Sequence, residues 1–273
     1  MHGPFDLRIE EVERPTLRKD QVSIKLLACG ICQSDVECFE DKSAEGRYDL
    51  GPYTHVIPED WNDEIGILVE NFTVGYWGVW GNGCNPDASD DCVIIGGGPI
   101  GCSAAMVCAT SGDTVIVVDP VAACRENAMN YGATYTVDPA TGPVEEQIKA
   151  LTNGRGASVV IECSGNDIGI ASLFDIAGHS ARVGVVSHSI GRKVPVEIGK
   201  TIWKTLHLAG SGSTTNWFPR TIWFMSKIKD TYDFKALVSH YYKFEDLAAA
   251  MEMAQNKELS RKVMLLVGKR NHS

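Results

Sequence analysis

The stretch Cys92–Pro120, CVIIGGGPIGCSAAMVCATSGDTVIVVDP, decides how the whole chain is read. Cys92–Ile95 is a short apolar run rich in β-branched residues, which suits a strand buried on both faces. Gly96, Gly98 and Gly101 then fit G-x-G-x-x-G. Ile100–Thr110 is apolar and of helical length, and Ser111-Gly112 closes it. Thr114–Val118 is a second buried strand that ends in Asp119. Strand, glycine turn, helix, strand and acid within about thirty residues is the order a dinucleotide-binding unit requires. Gly96 permits the tight turn, Gly98 leaves room for a pyrophosphate, and Gly101 lets the helix approach the strand. Gly96, Gly98, Pro99, Ile100 and Gly101 are therefore candidate cofactor contacts, with the helix dipole and its free N–H groups facing the phosphates. Asp119 lies 18 residues past Gly101, near the ~20 expected. Its carboxylate would accept hydrogen bonds from ribose hydroxyls and repel a 2′-phosphate, which favours NAD over NADP. The alternative is a glycine-rich turn in an α/β domain that binds nothing.

Downstream the same alternation continues. Val121–Asn130 reads as a helix ended by Gly132. Ala133–Val137 is a third strand and Val144–Leu151 a helix. Ala157–Glu162 is a fourth strand and leads into Cys163-Ser164-Gly165, a turn on the edge that faces the ligand in a doubly wound sheet. Arg182–Ser187 is a fifth, and a sixth begins at Leu206 and opens into Gly210-Ser211-Gly212. Ser164, Ser187 and Ser211 are candidate cofactor contacts at these strand ends. Val238–Tyr242 is a short β run, Phe244–Ala254 an amphipathic helix and Lys262–Leu266 a last strand. His179 and His207 read as structural.

The composition excludes several classes of function. A net charge of −10 over 273 residues argues against nucleic acid, whose phosphates need a basic surface. No run of about 18 apolar residues occurs, so no membrane span is expected. Nine irregularly spaced cysteines, several inside apolar segments, fit buried thiols in a reducing compartment better than a disulfide framework. With no signal-peptide pattern at the N-terminus, a cytoplasmic location is expected.

Upstream of the glycine turn the reading is β. Leu7–Val12 alternates partly, and Val22–Leu27 alternates well, as a strand with one wet face should. Cys29-Gly30-Ile31-Cys32-Gln33-Ser34-Asp35 follows. A C-x-x-C pair can hold zinc, form a redox pair, or be a turn with two unrelated thiols. No second C-x-x-C exists to complete a four-cysteine site.

Gly30-Ile31-Cys32-Gln33-Ser34-Asp35 resembles the G-I-C-x-S-D segment of the zinc-dependent medium-chain dehydrogenases, in the branch of the polyol and sorbitol-type sugar dehydrogenases. It precedes the dinucleotide unit, as in that family. The resemblance implies an α/β fold: a doubly wound parallel Rossmann sheet with a second, β-rich (GroES-like) catalytic domain. It implies that Cys32 is a catalytic zinc ligand, that Ser34 relays the substrate's proton, and that Asp35 orients the site. It also puts His188-Ser189 near the nicotinamide ribose and Lys262 against the cofactor phosphates. Arg125 is placed to lie near the adenine, or is a surface arginine on its helix.

The resemblance breaks in the middle. The family's P-G-H-E motif stands here as His55-Val56-Ile57-Pro58-Glu59-Asp60, without the Gly-His pair. Glu59 or Asp60 takes the place of the glutamate, which makes Cys32 with Glu59 the candidate metal pair; His55 reads as a surface or structural histidine. Gly66–Gly75 resembles a strand pair of the family, and the chain then runs directly toward the glycine turn. The family's four-cysteine structural zinc lobe and most of its half-barrel are missing from this junction. The expected domains are a truncated catalytic part, 1–82 with 238–273, and a dinucleotide part, 83–237. A half-barrel without its middle is expected to expose apolar surface around Tyr76–Trp80.

The function so implied is NAD-dependent hydride transfer from a secondary alcohol of a polyol or sugar, with zinc as Lewis acid, in a cytoplasmic homo-oligomer paired through sheet edges. The competing reading is an NAD(H)-binding protein that lacks a complete zinc site and does not turn over. A third, a zinc-free reductase in which Ser34 polarises a carbonyl, lacks a suitably spaced tyrosine–lysine pair.

Overall fold

In a computed structural model, residues 4–14, 16–19, 21–40, 54–81, 83–112, 114–187, 191–212 and 215–268 are described. In chain order the first elements are β1 (Ala28–Gly30), α1 (Gln33–Glu40) and α2 (Asp63–Tyr76). Then come β2 (Asp91–Ile95), α3 (Pro99–Thr110), β3 (Thr114–Val118), α4 (Ala122–Asn130), β4 (Tyr135–Val137) and α5 (Val144–Leu151). They are followed by β5 (Ala157–Glu162), α6 (Asp167–Ile176), β6 (Ala177–Val185), α7 (Gly199–Trp203), β7 (His207–Gly210) and α8 (Phe218–Ile228). The last are β8 (Val238–Lys243), α9 (Leu247–Gln255) and β9 (Lys262–Leu266). The chain separates into two compact units, Met1–Leu68 with Asp233–Ser273, and Val69–Tyr232.

The larger unit carries a six-stranded sheet in the order β4-β3-β2-β5-β6-β7, with every neighbouring pair parallel. This is a doubly wound Rossmann sheet, whose order reverses between β2 and β5. The apolar runs read from sequence become strands because helices cover both faces. All five residues of β2 are buried, as are four of the five in β3. Burying each such aliphatic side chain contributes about 1.5–3 kcal/mol. One face meets a core of Val93, Ile116, Val160, Leu173, Phe174 and Val183, among others. Helix α3 is buried along Gly101–Cys108, which explains its smooth apolar composition.

The smaller unit contains a three-stranded sheet, β1-β9-β8, with β1 antiparallel and β8 parallel to β9. Its core joins Ile31, Val36 and Phe39 to Ala250, Met251, Val263 and Leu265.

Three expectations for the first eighty residues are corrected. Leu7–Val12 and Val22–Leu27 do not form strands. Val22, Ile24 and Leu26 are 73%, 69% and 49% exposed, and β1 begins only at Ala28, where β9 supplies a ladder. Alternation makes a strand only beside a partner, and no described strand pairs with 22–27. Gly66–Gly75 is not a strand pair but part of helix α2. Asn62 caps it, its side chain accepting from the Ile65 N–H (2.9 Å), and Asp63 and Glu64 favour the positive first turn. Leu68, Val69 and Phe72 then fall on one buried face at helical spacing. Tyr76–Trp80 is not exposed either. The helix runs on into a wider π turn, Trp77–Gly81, and Val79 is fully buried. The Tyr76 ring packs on Trp217 (5.9 Å) and Phe224 (5.2 Å), and Trp77 on Trp217 (4.6 Å).

Candidate dinucleotide-binding site

The site is built at the carboxyl ends of β2, β3 and β5. Gly96 leaves β2 with φ +99°, a conformation only glycine adopts without strain. A Cβ at Gly101 would lie 1.8 Å from the Gly96 carbonyl oxygen, so this position also admits only glycine. A Cβ at Gly98 would meet nothing within 4 Å, which leaves open space over the turn. Helix α3 starts with Pro99 at its first turn and no side-chain cap. The N–H groups of Ile100 and Gly101 therefore have no carbonyl one turn earlier to bond within the helix. Open space, uncapped donors and a helix dipole together suit a pyrophosphate.

Asp119 is buried at the end of β3. Its Oδ2 accepts from the Gly97 N–H (2.7 Å) and its Oδ1 from the Val121 N–H (2.8 Å). The carboxylate is thus fixed between the glycine turn and α4, with lone pairs left for further donors. Arg125 does not project freely from α4. One guanidinium nitrogen donates to the backbone oxygens of Asp119 (2.7 Å) and Pro120 (2.9 Å), and the other pairs with Asp138 (2.7 Å).

Ser164 and Gly165 form the turn after β5, beside the glycine turn: a Cβ at Gly96 would lie 2.9 Å from the Ser164 Cα. The Ser164 hydroxyl donates to Glu162 Oε1 (2.5 Å), and the N–H groups of Ser164 (2.8 Å) and Gly165 (3.0 Å) donate to the same oxygen. Glu162 is fully buried and its Oε2 has no hydrogen-bond partner. Burial pushes its carboxyl above the usual range, opposed by the bonds from Ser164 and Gly165. Burial, then the Glu162 charge, pushes the neighbouring Cys163 thiol up as well. Ser187 stands close to Gly165, whose Cβ would meet the Ser187 oxygen at 3.4 Å. Ser211 joins the β6 end through its N–H to the Val185 oxygen (2.8 Å), and its hydroxyl is buried without a partner. His188 and Ser189 lie outside the described residues.

All of these residues belong to the larger unit. Cys32, Ser34, Asp35, Glu59 and Lys262 belong to the smaller one. Cys32 sits at the start of α1, and Asp35 Oδ2 accepts from its N–H (2.7 Å). Burial, and then the Asp35 charge, raises the Cys29 pKa. A redox nucleophile needs the opposite shift. Lys262 is buried in β9, with its chain against Gly30. Among the described residues, no three His, Cys, Asp or Glu side chains gather as a metal site, so nothing completes a zinc shell around Cys32 and Glu59.

Two acids were not singled out from sequence: Glu162, and Asp138 beyond β4. The signal was present, because each stands at the end of an apolar strand, as Asp119 does.

A model of the zinc-binding dehydrogenases matches residues 99–227. A sorbitol dehydrogenase of Bacillus subtilis (strain 168) is 25% identical over 341 residues, covering 97% of this chain and 95% of the relative. The chain is similar to the zinc-type medium-chain dehydrogenases along nearly its whole length. That likeness supports a nicotinamide cofactor. A (R,R)-butanediol dehydrogenase of Neisseria gonorrhoeae (strain ATCC 700825 / FA 1090) is 30% identical over 207 residues, 76% of this chain and 55% of the relative. The chain thus spans little more than half of that relative. The sorbitol dehydrogenase alignment needs 341 positions for a chain of 273, so at least 68 positions have no residue here. An alcohol dehydrogenase of E. coli CFT073, solved with NADH, superposes with a TM-score of 0.70 at 23% identity, over 78% of this chain and 62% of that one. No helix among the described residues is long and apolar enough to cross a membrane.

Proposed function

We propose that the chain is an NAD-dependent dehydrogenase of that family, acting on a secondary alcohol of a polyol or sugar. The observation that carries the choice of cofactor is Asp119, a carboxylate fixed by two backbone donors at the end of β3. In the oxidative direction the alcohol loses its hydroxyl proton and passes a hydride to the nicotinamide, which leaves a ketone and NADH. The chain's own part is placement: the glycine turn and α3 hold the pyrophosphate, Asp119 the adenosine ribose, and the Ser164–Gly165 turn and Ser187 the nicotinamide half. Ser211 and Lys262 are further candidate contacts. Cys32, Ser34 and Asp35 are proposed for the alcohol end. The donor set does not fit zinc among the described residues, so no step is routed through a metal.

The competing reading, an NAD(H)-binding protein without turnover, is favoured by that same missing ligand set. Titration with NADH, followed by assay of sorbitol, 2,3-butanediol and threonine with NAD, with and without added zinc, separates the two. Binding with turnover supports the dehydrogenase, binding alone the second reading, and no binding overturns both. Asp119→Ala is expected to weaken NADH about tenfold, the scale of one hydrogen bond to a charged group. Unchanged NADH affinity in that variant would remove the ribose from Asp119. Nine irregularly spaced cysteines suit a reducing compartment such as the cytoplasm, and the expected homo-oligomer is read by light scattering.

A further inference from the structure

The corner that receives the adenosine ribose holds three charges. Val118 pairs with Val137 in the parallel ladder, and the Asp119 N–H donates to the Val137 oxygen (3.2 Å). Asp119 and Asp138 therefore leave adjacent strands at the same edge, a strand spacing of about 4.8 Å apart in the ladder. Arg125 reaches this edge from α4. It is held by the Asp119 and Pro120 backbone oxygens on one nitrogen and by the Asp138 carboxylate on the other. The Arg125 and Asp138 side chains are 19% and 23% exposed, so salt screens their attraction only in part. Asp138 is itself held in place, since its Oδ1 accepts from the Ala140 N–H (2.9 Å). Its backbone oxygen accepts from Gln147 (3.1 Å) and Thr141 (2.9 Å).

A lone arginine beside the ribose would attract a 2′-phosphate, which carries roughly 1.5 to 2 negative charges near neutral pH. Here that cation is consumed. The two carboxylates and one guanidinium leave a net charge of −1 at the corner. We infer that Asp138 is a determinant of cofactor choice: by occupying Arg125 it denies a 2′-phosphate its natural partner, so selectivity belongs to the Asp119–Arg125–Asp138 cluster and not to Asp119 alone. The inference rests on the reading that a nicotinamide dinucleotide occupies the glycine turn. It makes Arg125 a latent phosphate ligand, released only when Asp138 loses its charge.

The charge arithmetic orders the variants. Asp119→Ala brings the corner to zero but leaves Arg125 paired. Asp119→Ala with Asp138→Asn brings it to +1 and frees the guanidinium. The asparagine keeps an oxygen for the Ala140 N–H, so the turn after β4 retains its cap. The test is titration of NADH and NADPH into the whole chain, reading the ratio of the two dissociation constants. Adding Asp138→Asn to Asp119→Ala is expected to improve the NADPH:NADH affinity ratio about tenfold, the scale of one charge-assisted hydrogen bond. That gain is expected to disappear when Arg125→Leu is added. An unmoved ratio on neutralising Asp138 overturns the inference, and so does a gain that survives Arg125→Leu, since general repulsion would then explain it. Retained NADH binding reports that each variant is folded. If Asp138→Asn does not fold, Asp138→Ser keeps a hydroxyl acceptor for the cap and serves the same test. Failure of the unmutated chain to bind NADH overturns the nicotinamide reading with it, whereas NADH binding with an unmoved ratio overturns this inference alone.

Discussion

Residues 114–118 and residues 22–27 are both rich in β-branched and aliphatic side chains, yet one is a strand and the other is not. Thr114–Val118 lies between β2 and β4, pairs on both edges and has helices over both faces. Val22–Leu27 alternates as a strand should, but its apolar side chains stand exposed and no described strand pairs with it. The difference lies in what surrounds each segment, not in what it is made of. Strand propensity is largely fit to a pleated, half-buried surface, and it has no effect where that surface is missing.

This contrast can be broken at its strongest point first. Gly101→Val puts a side chain where even a Cβ would lie 1.8 Å from the Gly96 carbonyl oxygen. The main chain of the glycine turn must move, so a loss of about 5 kcal/mol or more is expected. A urea midpoint close to that of the unmutated chain would show that the turn has another conformation.

A matched pair sharpens the comparison. Ile116→Ala in β3 empties a fully buried site and should cost about 3 kcal/mol. Ile24→Ala removes a side chain that is 69% exposed and should change stability by less than about 0.5 kcal/mol. Equal losses would mean that the 22–27 segment is covered in solution. Ile24→Ser should also lower the binding of a hydrophobic dye, which reads the exposed row directly.

The smallest effect is one of pH. Burial raises the Glu162 carboxyl in the folded chain above its ordinary 4.5, so folding favours the protonated form. That contribution is present below pH 4.5 and is lost as the pH rises through the raised value. Glu162→Gln keeps an acceptor for Ser164 and Gly165 but cannot ionise. The variant should therefore gain stability relative to the unmutated chain between acid and neutral pH. Parallel urea curves on both sides of pH 4.5 that move together would show that Glu162 ionises without penalty.

The glycine turn and the acid after β3 were legible because their signals are local. Gly96, Gly101 and Asp119 act through backbone geometry and one carboxylate at a set spacing, and each lies where that spacing places it. Ser164 lies in the turn after β5, but its hydroxyl is spent on Glu162, and an acid at the end of an apolar strand does not reveal that it is buried. Arg125 was visible as a basic residue on the helix after Asp119. Its pairing with Asp138 was not, because the two are 13 positions apart and meet only through the β3–β4 ladder.

The sequence by itself determined that six strands alternate with helices and where the glycine turn falls, because each is encoded by apolar runs and glycine positions within a few dozen residues. It put the start of the fifth at Arg182, whereas β6 begins at Ala177. Tertiary structure alone decided the fate of the first eighty residues: an alternating segment without a ladder, an apparent strand pair that is helix α2, and an aromatic turn that packs on Trp217 and Phe224. Those outcomes depend on which surfaces are available to pair with or to cover, and that is a property of distant parts of the chain.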